Sequence, residues 1–344
     1  MKICFLMYPW ELVDPAADST LRIIHEAHKR GHTVAITTPT NLTIRETVAY
    51  GFCQVVSKKT SATTPQSFYK AAKFNTKMLP LAGFDVIFLR ANPPVDPIAL
   101  NFLDSVKDSV FIMNDVDGVR IANNKVYTAA LNDANQQFVP ATHVSKNREY
   151  LERVLSEGPS ERMILKPLDG YGGSGVIVIE KSATANIRSL LDFYLGDKED
   201  RYVIMQEYVE GAELGDIRIL MLNGEPIGAM RRVPAEGELR ANISKGGREV
   251  KHSLSKEEKA LCKHIGPKLV RDGLYFVGLD VIGGKLIEVN VLSPGGITRI
   301  NRLNRTQLQR QVLDFAESVV RTKEMQASRK TAYRQAIEDA VAET

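Results

Sequence analysis

Cysteine is scarce in this 344-residue chain. Cys4, Cys53 and Cys262 lie far apart, are odd in number and form no Cys-x-x-Cys, which excludes a disulfide framework and suits a reducing compartment. An excess of one charge is also lacking. The net charge of +4 is spread along the sequence, and no basic tract carries interleaved aromatics, so nucleic acid is not an expected partner. No apolar run approaches the roughly 18 residues of a membrane span. The run from Ile3 to Met7 is too short for a signal-peptide core, so a cytoplasmic protein without a membrane partner is expected. The absence of Gly-x-x-x-x-Gly-Lys-Ser/Thr excludes a P-loop, and the absence of a repeat excludes a solenoid. What remains is ordinary globular composition, 44% hydrophobic and 25% charged, in a chain long enough for two or three packed units.

The first 120 residues read as a doubly wound α/β domain. Lys2 to Met7 forms a buried strand, Asp18-Ser19-Thr20 caps a helix that Gly31 stops, and Thr33 to Thr37 forms the next strand. Strand, helix and strand at this spacing imply a parallel sheet. Further strands are expected at Asp85–Leu89 and Val110–Met113. Asp18 and Arg90 fall at the carboxyl edge, where open α/β sheets bind ligands. A helix cap and a surface ion pair are the plainer readings of the two. Residues 121–207 read as a small α+β lid, with helices from Asn123 to about Asn132, Arg148 to Ser156 and Ala185 to Leu195. Strands dominate from 208 to 322, with Asn223-Gly224 as a hairpin turn and Ser255-x-x-Glu258 as the capping box of a helix ending at Asp272. Ala235 to Arg248, polar and glycine-rich, reads as a mobile loop. Residues 323–344 form a polar, helix-prone tail.

Ile164-Leu-Lys-Pro-Leu-Asp-Gly-Tyr-Gly-Gly-Ser-Gly-Val-Ile-Val-Ile179 stands out. Gly170-x-Gly172-x-x-Gly175 fits the dinucleotide fingerprint, but that fingerprint needs a following helix. Val176 to Ile179 is β-branched throughout and reads as a strand. A glycine loop between two strands is a flap whose backbone can close over phosphates, or simply a hairpin without a ligand.

The second feature is Val277-Gly-Leu-Asp-Val-Ile-Gly-Gly-Lys-Leu-Ile-Glu-Val-Asn290. Asp280, Glu288 and Asn290 are hard oxygen donors of the kind magnesium prefers. A two-residue Gly283-Gly284 turn would pair Asp280 with Ile287, whereas a three-residue loop through Lys285 pairs it with Glu288. Only the second puts Val277, Leu279, Val281, Ile287 and Val289 on one face, so the three-residue loop is expected. Opposed carboxylates are costly without a cation, and two bridging ions would be consistent.

A lysine with a glycine flap, then Gln206-Glu207-Tyr208-Val209, then an Asp…Glu-x-Asn hairpin is the order seen in ATP-grasp ligases. To about residue 320 the chain resembles bacterial glutathione synthetases. The resembling segments are Leu89-Arg90…Pro93-Pro94, Asn124-Lys125, Ile164 to Gly170, Phe276-Val-Gly-Leu-Asp280 and Glu288-Val-Asn290…Ser293-Pro294. The resemblance implies an ATP-grasp fold with an N-terminal Rossmann-like domain, the lid, and a mostly antiparallel catalytic domain. It implies an ATP-dependent carboxylate–amine ligase that joins γ-glutamylcysteine to glycine through an acyl phosphate, with magnesium or manganese, in a homo-oligomer (dimer or tetramer).

By the same resemblance, Lys125 and Lys166 would contact ATP phosphates, and Gly170, Tyr171, Gly172, Gly173, Ser174 and Gly175 would close over them. Gln206, Glu207, Tyr208 and Val209 would line the adenine pocket, with Asp216 and Arg218 contacting the nucleotide. Asp280, Glu288 and Asn290 would hold metal. Arg90, Arg232, Arg240, Asn242 and Ser293 would bind the peptide, whose carboxylates suit guanidinium forks. Lys166, Arg218 and Arg232 would be the catalytic cations. The sequence departs from the family's pattern at Tyr8 to Ala17, at Ala91-Asn92 and at Ser293 to Arg305, where Gly295-Gly296 and Arg299, Arg302 and Arg305 are unexpected. A changed pocket wall there would admit another acid or amine, while a solvated arginine face would not. A ligase for another small pair and a non-catalytic nucleotide-binding module are the alternatives.

Overall fold

The computed structural model describes all residues except 134, 136, 169–174, 183–186, 197–199, 236–246 and 343–344. The chain forms two compact units: Met1–Val116 with Gln307–Thr344, and Asp117–Thr306.

The first unit contains β1 (Lys2–Met7), α1 (Ser19–Lys29), β2 (Thr33–Thr37), β3 (Leu42–Arg45), β4 (Val48–Val56), α2 (Pro65–Ala71), β5 (Phe74–Pro80), β6 (Val86–Arg90), α3 (Pro97–Asp104) and β7 (Phe111–Met113). The strands β2, β1, β6 and β7 are parallel neighbours in that order, as the buried apolar runs require. Phe5 and Phe88 stack at 4.9 Å in the core between sheet and helices. Asp18 caps α1 by accepting from the Leu21 amide at 2.6 Å, and Gly31 stops the helix at φ +82°. The sequence reading assigned nothing between Thr37 and Asp85. The structure puts antiparallel β3, β4 and β5 there, extending the sheet beyond β2.

The second unit contains α4 (Val116–Ala122), α5 (Val126–Ala129), β8 (Thr142–Ser145), α6 (Arg148–Glu157), β9 (Arg162–Pro167), β10 (Ile177–Glu180), α7 (Ile187–Leu195), β11 (Val203–Glu207), β12 (Asp216–Leu222), β13 (Glu225–Val233), β14 (Arg248–Lys251), α8 (Lys256–Arg271), β15 (Phe276–Ile282), β16 (Lys285–Asn290) and α9 (Ile297–Asn304). Among the described residues it has two antiparallel sheets, β10-β9-β11-β8 and β14-β13-β12-β15-β16. Leu151, Leu155, Leu165, Leu191 and Met205 form the core between the first sheet and α6 and α7. The helix expected from Asn123 to Asn132 is a single turn, α5, preceded by α4. Its residues fold around a contact with β16 rather than extending by propensity. The Ser255–Glu258 capping box on α8 is present in both directions.

The chain returns to the first unit as α10 (Leu308–Ala342). Leu308, Val312, Leu313 and Ala316 are buried there, whereas the described side chains from Arg321 onward are exposed. Among the described residues, no helix is long and apolar enough to cross a membrane.

Candidate active site

The β15–β16 hairpin pairs Asp280 with Glu288, Leu279 with Val289 and Gly278 with Asn290, as the alternation of apolar and polar residues predicts. The turn differs from expectation. Ile282 pairs with Lys285 around a two-residue turn in which Gly283 and Gly284 have φ of +53° and +76°. A bulge then intervenes, because Val281 pairs with Leu286 while Asp280 pairs with Glu288. Ile287 is therefore the extra residue, and Leu286 takes the core position expected for Ile287.

Asp280 is 8% exposed and holds four contacts. Arg218 on the adjoining strand grips it with Nε–Oδ1 2.6 Å and Nη2–Oδ2 3.1 Å. Arg232 reaches Oδ1 at 2.9 Å, and the Asn290 amide donates to Oδ2 at 3.1 Å. Arg232 also forks onto Asp216 at 2.5 and 2.8 Å. Cross-strand register explains both pairs, since Arg218 lies opposite Asp280 and Asp216 opposite Arg232. Burial alone would raise the Asp280 pKa, but the two guanidiniums outweigh it and hold the group at about 2. Glu288 behaves oppositely. Burial and then the Asp280 charge raise its pKa, against the pull of Lys125 and Lys166. Asp216 is raised by burial and by Asp280, with Arg232 opposing.

Lys166 on β9 is 6% exposed and donates to Gln206 Oε1 at 3.0 Å. Gln206 in turn donates to Thr142 Oγ1 at 2.7 Å. Burial, reinforced by Lys125 and opposed by Glu288, lowers the Lys166 pKa to about 8. Lys125, which precedes α5, donates to the Leu168 carbonyl at 3.1 Å and lies 3.9 Å from Glu288 Oε1. The glycine segment does run from strand to strand, with β9 and β10 antiparallel. Gly170, Tyr171, Gly172, Gly173 and Ser174 lie outside the described residues. Gly175 sits at φ +66°, and its carbonyl accepts from the Tyr194 hydroxyl at 2.7 Å. The Glu207 amide donates to the Ala141 carbonyl at 2.9 Å, and the Tyr208 ring lies under the Arg162 guanidinium at 4.1 Å. Val209 packs at the hairpin tip, where a Cβ on Gly283 would lie 3.0 Å from Val209 Cγ1.

The second unit thus gathers Lys125, Lys166, Gln206, Asp216, Arg218, Arg232, Asp280, Glu288 and Asn290. Ser293 follows at φ +41°, and the Gly295 carbonyl accepts from Arg218 Nη1 at 3.2 Å. Arg299 and Arg302 both pair with Glu249 at the start of β14. Arg90 belongs to the first unit, where it is 2% exposed and donates to Thr20 Oγ1 at 3.0 Å. Burial lowers its pKa to about 10 against the pull of Asp18. Arg240 and Asn242 lie outside the described residues. Sequence reasoning missed Thr128 and Thr142, whose hydroxyls support site residues. Neither has a local signature, because their partners are distant in the chain.

The donor set suits a hard divalent ion. A buried carboxylate (Asp280), a partly exposed one opposite it (Glu288) and an amide offer oxygen donors, and magnesium keeps waters and phosphate oxygens for its other positions. Among the described residues no group of three His, Cys, Asp or Glu side chains could hold a metal. Asp280 is balanced by Arg218 and Arg232, whereas Glu288 faces Lys125 at 3.9 Å and has its pKa raised by burial and by the Asp280 charge.

The chain matches the prokaryotic glutathione synthetase N-terminal domain over residues 1–120 and the prokaryotic glutathione synthetase ATP-grasp domain over residues 124–305. It is 35% identical over 325 residues to the glutathione synthetase of Gloeobacter violaceus, covering 92% of this chain and 96% of that one. Among solved structures, the ATP-grasp ligase PsnB with its minimal precursor aligns with a TM-score of 0.60 at 16% identity, over 92% of this chain and 99% of that one. The D-alanine–D-alanine ligase from Coxiella burnetii aligns with a TM-score of 0.56 at 12% identity, over 97% and 99%. At these identities the structural likeness is one of fold, and the fold is ATP-grasp.

Proposed function

The chain belongs to the prokaryotic glutathione synthetase family, and from that premise we propose that it is an ATP-dependent ligase joining the cysteinyl carboxylate of γ-glutamylcysteine to the amine of glycine. The observation that carries this reading is the convergence of Lys125 and Lys166 on the face bearing Asp280, Glu288 and Asn290.

The γ-phosphoryl group of ATP passes to the peptide carboxylate oxygen, with ADP as leaving group. The glycine nitrogen then attacks the acyl carbonyl, loses a proton, and expels phosphate as the amide forms. No covalent enzyme nucleophile is needed, so positioning and charge neutralisation carry the chemistry. Lys125 and Lys166 hold the phosphates. A lysine with its pKa near 8 through burial is poorly solvated, so phosphate oxygens are a strong substitute for water around its ammonium. Gln206 orients the Lys166 amine, and residues 206–209 line the adenine pocket. Asp280, Glu288 and Asn290 would hold the divalent metal, as two magnesium or manganese ions, which would supply positive charge to offset that on the transferring phosphoryl group. Arg218 keeps Asp280 ionised and oriented. Arg232, with Arg240, Asn242 and Ser293, receives the peptide, Arg90 is a separate peptide contact on the first unit, and Gly170 to Gly175 cover the phosphates. The enzyme works in the cytoplasm as a homo-oligomer.

A phosphate-release screen across acid and amine pairs, with product mass determined, tests the reading. Turnover with γ-glutamylcysteine plus glycine is expected. Turnover with another pair and none with this one would overturn it.

A further inference from the structure

Among the described residues, strand β16, which carries Glu288 and Asn290, lies at the edge of its sheet and pairs with β15 alone. An edge strand presents outward amide and carbonyl groups, and those that are buried need partners. Two of the outward amides of β16 find them in one preceding stretch of chain. Leu286 donates to the Phe138 carbonyl at 2.6 Å, and Val289 donates to Thr128 Oγ1 at 3.2 Å. Thr128 and Val289 are 4% and 6% exposed, so no bulk water substitutes for that hydroxyl.

The positions of the two partners give the second contact its significance. Val289 is the residue between Glu288 and Asn290. Thr128 lies on the one-turn helix α5, whose N-cap is Lys125. One hydrogen bond therefore ties the strand that carries two metal donors to the helix that presents a phosphate-binding lysine. Lys125 also donates to the carbonyl of Leu168, just past the end of β9, and it lies 3.9 Å from Glu288. A four-residue helix has no stability of its own, so its placement depends on side chains such as Thr128. Tyr127 supplies the other anchor by donating to Asp272 Oδ2 at 2.7 Å.

We propose that Thr128 is a positioning residue that sets the distance between the phosphate-binding lysine and the metal-binding carboxylate through the Val289 amide. The inference rests on the proposed roles of Lys125, Glu288 and Asn290, and it adds a residue that touches neither nucleotide nor metal. Supporting groups of this kind change metal affinity or activity by about 10- to 100-fold when removed.

The test compares Thr128→Val, which keeps the shape and removes the acceptor, with Thr128→Ser, which keeps the acceptor. Three quantities are measured on the full chain: exchange of the Val289 amide, calorimetric binding of manganese with a non-hydrolysable ATP analogue, and kcat and KM with the peptide. For Thr128→Val we expect faster Val289 exchange, about 10-fold weaker manganese–nucleotide binding and a comparable fall in kcat, with the peptide KM unchanged. Thr128→Ser should restore all of them. A purely structural role would lower the melting temperature and leave manganese–nucleotide binding of the folded protein at the wild-type value, and that result would overturn the inference. If Thr128→Val does not fold, Thr128→Cys against Thr128→Ser makes the same comparison, because a thiol is a weak acceptor. Equal manganese affinity in those two would overturn it likewise. Should wild type fail to make glutathione while the Val/Ser difference in manganese binding persists, the substrate reading falls and the positioning role stands.

Discussion

Asp280 and Glu288 face each other across one hairpin, yet only the replacement of Asp280 should destabilise the protein. In Asp280→Asn the perturbation removes the carboxylate that two guanidiniums enclose at 2.6 to 3.1 Å. Arg232 keeps Asp216, but Arg218 loses both of its charged contacts and stays buried at 8% exposure. Breaking one partner of a buried pair costs about 3–5 kcal/mol. Arg218 keeps the Gly295 carbonyl, so the loss should fall at the low end, about 3 kcal/mol, which lowers Tm by roughly 6–12 °C for a unit of this size. Glu288→Gln is different. Its nearest cation, Lys125, lies at 3.9 Å, and the charge of Asp280 disfavours its ionised form. Neutralising it relieves that repulsion, so Tm in metal-free buffer should stay level or rise. Both variants should lose ligase turnover. Thermal denaturation with chelator, run beside a phosphate-release assay, reads the contrast. Equal destabilisation by the two substitutions would refute the assignment of Asp280 as the paired carboxylate and Glu288 as the one awaiting a cation.

Gly118→Ala should prevent folding of the second unit or leave it insoluble, because a Cβ there would lie 2.1 Å from the Asp272 backbone oxygen; soluble yield and circular dichroism check this. Gly175→Ala forces an alanine to φ +66° with its Cβ 3.1 Å from Pro167, so a loss of about 1–2 kcal/mol is expected by chemical denaturation. Glu317 in the first unit is raised by burial but pulled lower overall by His32 and Arg30. Its stabilising contribution is therefore complete above the ordinary carboxylate range and is lost as pH falls through its lowered folded pKa. The Tm gap between wild type and Glu317→Gln should narrow from about pH 6 to about pH 3. Deleting residues 325–344, beyond the Lys323 ammonium that lies over the Phe111 ring at 5.9 Å, should change stability by no more than about 0.5 kcal/mol in denaturant titration, since the described side chains there are exposed.

The site was legible where local pattern and burial agree. Alternation alone paired Asp280 with Glu288, because any other register drives acids into the core. The turn was not legible, since the adjacent apolar residues Leu286 and Ile287 fit either a longer loop or a bulge, and only packing against Val281 selects Leu286. Strand β5 escaped detection because it is exposed along most of its length and shows no alternating face. The clamp of Arg218 on Asp280 was invisible because it depends on β12 and β15 being neighbours, a tertiary fact. The contact from Val289 to Thr128 spans 161 residues of sequence, beyond the reach of any local rule. The glycine segment was readable as a strand-to-strand loop because β-branched residues follow it, and β10 begins among them.

The first unit is built from both ends of the chain, with α10 lying against α1 and Arg30 reaching Asp314 at 2.7 Å. During synthesis the order of assembly is therefore imposed. Residues 117–306 emerge whole and can close their sheets while α1 still lacks its cover. Phe111 and the α10 residue Phe315, whose rings meet edge-on at 6.0 Å, cannot meet until α10 has left the ribosome. A nascent chain stalled before residue 308 would thus hold every residue of the 117–306 unit, while the sheet of the first unit still lacked α10.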